Sequence, residues 1–327
     1  ILLVEMREIF DFDKDKYYCN LSTPVLFLIF RRPHTTAKVF EKIRKVRPKK
    51  LYIAADGPRD WIPGEVDMVE ATRKYVLNNI DWDCDVKTLF RDKNLGCGKA
   101  VSEAISWFFE NEEKGIILED DTVPSLSFFS FCEVLLEKYR DEKKIWHISA
   151  CNFNYQSKDN GDYFFSALPF VWGWATWADR WKHYDFEMKN MNDDSFIKDY
   201  WNGLNLLYWK KIFLKMKNKE IDTWDYQWIF TIWFYKGLAI LPKVNMVENI
   251  GFDEFSTHLF KNTFKLRSID EYVQIRKHPS DISRDTIADR YFMKNIFLPK
   301  KPRGFIGMLM HGTKIGKILE KIGMAKF

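Results

Sequence analysis

Long apolar runs are missing from this chain. No stretch approaches the roughly 20 unbroken apolar residues of a membrane span, and the aromatic segment Phe170-Val171-Trp172-Gly173-Trp174-Ala175-Thr176-Trp177 is short and interrupted by glycine. Cysteine is scarce: Cys19, Cys84, Cys97, Cys132 and Cys151 are odd in number, dispersed and never spaced Cys-x-x-Cys. That pattern argues against a disulfide framework and a zinc site and favours a reducing compartment. An excess of one charge is missing too. With 51 Lys and Arg against 46 Asp and Glu, the formal charge is only +5, so nucleic acid is not an expected partner. There is no P-loop, no Gly-x-Gly-x-x-Gly fingerprint, no internal repeat and no low-complexity linker. The expectation is a soluble or peripheral, cytoplasmic protein, although a first residue Ile1 rather than Met leaves room for a preceding signal or anchor.

What is present is a chain of 327 residues, 46% hydrophobic and 17% aromatic with 13 tryptophans. That composition supports a large core in one α/β domain with elaborations. The aromatic surplus suggests rings lining a groove.

The most informative run is Gly115-Ile116-Ile117-Leu118-Glu119-Asp120-Asp121, a short apolar strand ending in three adjacent carboxylates. Such a cluster repels itself unless a cation sits in it. Mg²⁺ and Mn²⁺ take oxygen ligands, usually one or two carboxylates with nucleotide phosphates, and open α/β sheets bind ligands at strand C-termini. The plain alternative is a solvated acidic turn.

Around it the chain alternates strand and helix, the signature of a mostly parallel sheet. Residues 24–30 read as a buried strand, followed by a helix that Thr35 could cap and by a strand over 51–55 ending in Asp56-Gly57-Pro58. Further strands are expected at 86–90, before Glu119, at 145–150 and at 238–241, with helices between them and over about 195–217. Asn94-Leu95-Gly96-Cys97-Gly98-Lys99 sets two glycines ahead of a helix. That geometry suits phosphate or is simply where the helix starts. Arg31-Arg32 follows the first strand, either to pair with a nucleotide or to solvate the strand end. Asp225, between Trp224 and Tyr226, suits a general base or a helix N-terminal acid. His258 is a loop histidine within reach of phosphate or metal. From Lys294 to Phe327 there are eight basic residues against Glu320 alone. That spacing suits an amphipathic element on an anionic membrane, or a docked helix.

In this order the segments resemble GT-A-fold glycosyltransferases, namely the eukaryotic N-acetylglucosaminyltransferases that initiate complex N-glycan branching and bacterial hemolysin-like glycosyltransferases, over roughly residues 24–258. The resemblance implies a Rossmann-like, mixed but mostly parallel sheet flanked by helices over 1–258, with a basic, partly helical extension over 259–327. It implies that Arg32 and Asp56 hold uracil, that Asp121 ligates the metal, and that Asp120 and Glu119 face the donor. Lys99, in the glycine loop that differs in detail from the family's pattern, is a further candidate for binding the donor. Trp172, Gly173 and Trp174 would lie beside the donor sugar, His258 would sit on a loop closing over it, and Asp225 would be the catalytic base. The family's base segment runs Trp-Asp-Asp-Trp, whereas Trp224-Asp225-Tyr226-Gln227-Trp228 is one residue longer, which keeps Asp222 as an alternative.

The function implied is a metal-dependent (Mn²⁺ or Mg²⁺), inverting glycosyltransferase. It would move a sugar, with GlcNAc a candidate, from a UDP-sugar to a glycan or glycolipid acceptor, and the basic tail would allow peripheral membrane association. Trp172, Trp174 and Trp177 would offer apolar faces to sugar rings. One alternative is a sugar-phosphate nucleotidyltransferase, which needs a Gly-rich loop where Arg31-Arg32-Pro33-His34 stands. The other is a non-catalytic glycan-binding module.

Overall fold

The computed structural model describes residues 20–158, 160–192, 194–251 and 274–298. Its centre is β1 (Val25–Ile29), an apolar run with every residue buried, as expected of a strand covered on both faces. β1 pairs in parallel with β2 (Lys50–Ala55) on one side and β4 (Lys114–Glu119) on the other. Beyond β2 lies β3 (Asp85–Phe90), an edge strand whose charged residues suit an uncovered border. Beyond β4 come β8 (Trp174–Trp177), β6 (Ile145–Ser149), β9 (Leu238–Pro242) and β7 (Tyr163–Ser166), giving the order β3-β2-β1-β4-β8-β6-β9-β7. Strands β8 and β7 run antiparallel to their neighbours and the others run parallel. The fold is therefore the Rossmann-like α/β class with a mixed, mostly parallel sheet. A two-stranded ribbon joins β5 (Thr122–Pro124) to β10 (Val247–Asn249).

Helices α1 (Pro33–Val46), α2 (Glu65–Asn78), α3 (Cys97–Phe109) and α4 (Leu126–Lys138) connect the first strands. α1 starts with Pro33 in its first turn and Arg32 as the capping position, so Thr35 does not cap it; its hydroxyl instead donates to the Arg32 carbonyl at 3.1 Å. Proline's fixed φ and missing N–H suit that place. The helix expected over 195–217 is two pieces, Ile197–Tyr200 and α5 (Gly203–Lys217), with Gly203 at φ +51° at the break. α6 (Asp225–Phe234) and α7 (Thr286–Phe292) follow, and a single helical turn, Ala178–Trp181, comes directly after β8.

The tryptophans mostly build core. Trp174, Trp209, Trp228 and Trp233 are fully buried. Trp174 stacks on His147 at 5.0 Å and on Trp224 at 5.5 Å. His147 accepts from the Trp228 indole and donates to the Phe170 carbonyl, and burial lowers its pKa to about 3, so it is a neutral packing element. Residues 274–298 join the same core. Phe292 packs on Phe170 at 5.2 Å, and Asp285 caps α7 through the Ile287 and Ala288 amides while accepting from Tyr155 and Ser157. The described part of the region after 258 is thus an integral layer. The rest of the basic tail lies outside the described residues.

Candidate functional site

The register places three chemistry-bearing turns side by side. Ile29 pairs with Ala55, and Leu28 pairs with Glu119, so Phe30-Arg31-Arg32, Asp56 and Glu119-Asp120-Asp121 leave the sheet at one edge. A cleft of about 480 Å³ opens there, its lining including Arg32, Asp56, Arg59, Trp61, Glu119 and Asp120.

Arg32 is the electrostatic centre of this edge. Its guanidinium donates to Asp120 Oδ1 at 2.9 Å and to Asp121 Oδ2 at 2.6 Å, while the other Asp120 oxygen accepts from the Phe30 amide at 3.2 Å. Burial opposes the Arg32 charge, but the two aspartates outweigh it and raise its pKa above the usual arginine value. Asp120 is pushed up to about 6, by burial first and by Asp121 in addition, with Arg32 opposing. Burial, then Asp121, Asp120 and Asp225, hold Glu119 well above the usual carboxylate range. Arg32 therefore sits on the acidic turn, and it lines the same cleft as Asp56.

The ribbon explains how the acidic turn is held. β10 delivers Ile250 and Gly251 onto it: the Ile250 amide donates to the Asp121 carbonyl at 2.8 Å, and a Cβ on Gly251 would lie 2.1 Å from Asp121 Oδ2. Only glycine leaves room for that carboxylate.

Asp56 closes the other end. Its carboxylate accepts the Gly57, Leu95 and Gly96 amides at 2.9 to 3.2 Å, and burial raises its pKa against those bonds. Gly57 lets the two loops touch, since a Cβ there would meet the Lys93 backbone at 2.4 Å.

The glycine loop before α3 is a capped helix start. The Cys97 and Gly98 amides, which were candidates for phosphate, donate to the two Asp222 oxygens at 2.9 and 2.8 Å. Lys99 stands on the exposed face of α3, 3.7 Å from Glu103, and does not line the cleft. Asp222 thus caps α3 while also lining the cleft, and Asp225 begins α6 with Oδ1 accepting from Thr223 at 2.5 Å. The Asp225 charge contributes, after burial, Asp121 and Asp120, to raising the Glu119 pKa.

The sugar-facing role of the Trp-Gly-Trp segment needs correction. Trp174 is 0% exposed and Trp177 is buried with its indole donating to the Leu136 carbonyl at 2.9 Å; neither offers a face to a ligand. Trp172 is half-buried, 5.5 Å from Phe153. Gly173, at φ +67° and packed against Ala150 and Leu118, serves the chain path and the core. His258 lies outside the described residues.

Sequence reasoning missed the contact of Gly251 with the acidic turn, Asp222 as a cap, and the loop Arg59-Asp60-Trp61-Ile62-Pro63-Gly64 that follows the Asp56 turn. A tryptophan between Gly and Pro signals directly after a strand end was the available clue. Nor did it see that buried Glu65 accepts from Arg59 and pairs with Arg31 at 3.0 Å, fixing both arginines at the cleft wall.

Among the described residues no group of three or more His, Cys, Asp or Glu is set to hold a metal ion. Asp120 and Asp121, the carboxylates that a hard cation completing its shell with phosphate and water would use, are bridged by Arg32.

No family model matches the chain, and no curated protein does. Among solved structures, HddC from Yersinia pseudotuberculosis aligns over 50% of this chain and 80% of its own at 10% identity, with a TM-score of 0.31. The glycosyltransferase GlyE of Streptococcus pneumoniae TIGR4 aligns over 67% of this chain at 12% identity and a TM-score of 0.32, and this chain spans 45% of its length. A UDP-glucose pyrophosphorylase complexed with UDP-glucose aligns over 49% of this chain and 78% of its own at 9% identity and a TM-score of 0.30. Likeness at this level is too slight to carry function. The fold class stands on the sheet order itself.

Proposed function

We infer that this protein is a divalent-metal-dependent, inverting glycosyltransferase that takes its sugar from a UDP-sugar, with UDP-GlcNAc a candidate, and passes it to a glycan or glycolipid hydroxyl. The observation that carries this reading is the convergence of Arg32, Glu119, Asp120 and Asp121 at one sheet edge, beside a cleft whose far end is Asp56. An acidic turn of this kind beside a nucleotide-sized cavity suits a diphosphate held through a cation.

Asp121 is the residue to hold the cation, with Asp120 beside it; the bound ion would neutralise charge developing on the diphosphate leaving group. Asp56 accepts four hydrogen bonds from the Gly57, Leu95 and Gly96 amides, two at each oxygen. The imide N–H of uracil would share an oxygen with those amides, and cytosine, whose corresponding nitrogen is an acceptor, would not. Arg32, which bridges Asp120 and Asp121, would offer its positive charge to the same anion. Asp225 accepts the proton of the acceptor hydroxyl as its oxygen bonds to the anomeric carbon. The bond from that carbon to the phosphate oxygen breaks, its electron pair leaving with UDP. One displacement inverts the centre. The basic tail supports a peripheral position beside a lipid-linked acceptor.

A thermal-shift screen of nucleotide sugars with and without Mn²⁺ tests this reading. Stabilisation by a uridine diphosphate sugar, dependent on Mn²⁺, is the expected result. Indifference to every nucleotide sugar would remove the basis for it.

A further inference from the structure

Trp61 breaks the pattern of its kind. Among the described residues the other tryptophans are buried or half-buried, whereas Trp61 is 72% exposed, more than any other large apolar side chain. Its position is the lip of the cleft, on the loop between Asp56 and α2. At the mouth of a cavity an indole has a large planar face on which a bound ring could stack.

The loop presents this ring from a fixed base. The Ile62 amide donates to the Arg59 carbonyl at 3.1 Å and the Glu65 amide to the Ile62 carbonyl at 3.2 Å, folding Arg59 to Glu65 into consecutive turns around Trp61. The Glu65 carboxylate, itself inaccessible to solvent, accepts the Arg59 amide at 2.7 Å and its guanidinium Nε at 2.9 Å. Both ends of the loop are thereby anchored: Asp56-Gly57 against residues 93–96, and Arg59 on Glu65. The backbone is held while the indole is left open, which lowers the ordering cost of binding.

Ala54 and Ala55 of β2 and Ala100 of α3 line the same cleft, and their small side chains leave room near the indole for a planar ring. A sugar ring also stacks on tryptophan, but the place beside Asp56 is suited to a hydrogen-bonding base edge.

Building on the functional reading above, we propose that Trp61 is the base-stacking residue of the donor site, closing over the pyrimidine of the bound nucleotide. Aromatic stacking on a base typically accounts for about 10- to 100-fold in affinity. The assignment makes the β2–α2 loop the determinant of affinity for the nucleoside half, while the acidic turn governs the diphosphate half.

Titration calorimetry in Mn²⁺, with UDP and pyrophosphate as separate probes, tests it on wild type, Trp61→Ala and Trp61→Phe. The expected result is a loss of about 10- to 100-fold in UDP affinity for Trp61→Ala, most of it restored by Trp61→Phe, with pyrophosphate affinity and the melting temperature little changed. UDP affinity of Trp61→Ala within twofold of wild type overturns the proposal and leaves the glycosyltransferase reading standing. Equal losses for UDP and pyrophosphate also overturn it, since the loop would then be acting on the phosphate site. A wild type that binds no uridine nucleotide overturns both.

Discussion

Replacing Arg32 by alanine perturbs the acidic turn more than any other single change. The guanidinium bridges Asp120 and Asp121 at 2.9 and 2.6 Å, and Glu119 feels both aspartates. Breaking a buried pair by removing one partner costs about 3–5 kcal/mol, because the other charge is left uncompensated. Here two carboxylates lose the same partner, so a value near the top of that range is expected at pH 8. The Asp120 pKa, about 6 in the folded protein, lies above its ordinary value. The folded state therefore binds its proton more tightly than the unfolded state, and stability from this group falls as pH rises from about 4 through about 6. Without Arg32 the shift grows, so Arg32→Ala should be least destabilised at low pH and most destabilised above the folded pKa. Urea denaturation of both proteins across pH 5 to 8 measures this. Mn²⁺ should return part of the lost stability to the variant and add less to wild type, where the cation must displace the guanidinium. A destabilisation below about 1 kcal/mol, flat with pH and unaffected by Mn²⁺, would refute the reasoning.

Asp225→Asn should cut transfer by about 10²–10⁴-fold with donor affinity unchanged, whereas Asp222→Asn should retain transfer and lose about 1 kcal/mol of stability through its weakened cap on α3; steady-state kinetics and melting of the two variants separate the roles. Gly251→Ala places a methyl 2.1 Å from Asp121 Oδ2 and should weaken Mn²⁺-dependent UDP binding by about 10- to 100-fold, read by calorimetry. Trp174→Ala should destabilise by about 3–5 kcal/mol and Trp172→Ala by well under half as much, as denaturant midpoints would show.

The parallel half of the sheet was legible because buried strands such as β1 and β4 read as continuous apolar runs closed by polar turns. β8 was not. Its Trp174-Ala175-Thr176-Trp177 is compatible with a groove-lining loop, and only the packing of Trp174 against His147 and Trp224 makes it interior. The acidic turn was found from its neighbours in sequence, but the partner of Arg32 was not, since Asp56 and Asp120 both end strands adjacent to β1 and side-chain packing selects between them. The cap on Cys97 and Gly98 comes from Asp222, 125 and 124 residues away in sequence, a distance at which no local pattern applies. Trp61 was visible only as a tryptophan in a turn; its exposure at the cleft belongs to the tertiary structure.

The central claim is that the cleft binds a UDP-sugar and breaks its bond to the diphosphate. Product analysis of the wild-type protein with UDP-sugars and Mn²⁺, run beside Asp121→Ala and beside UTP with sugar 1-phosphates, tests it most directly. The account predicts slow release of UDP and free sugar from at least one donor, abolished by EDTA and by Asp121→Ala. Pyrophosphate formed from UTP and a sugar 1-phosphate, with no UDP released from any UDP-sugar, would contradict it.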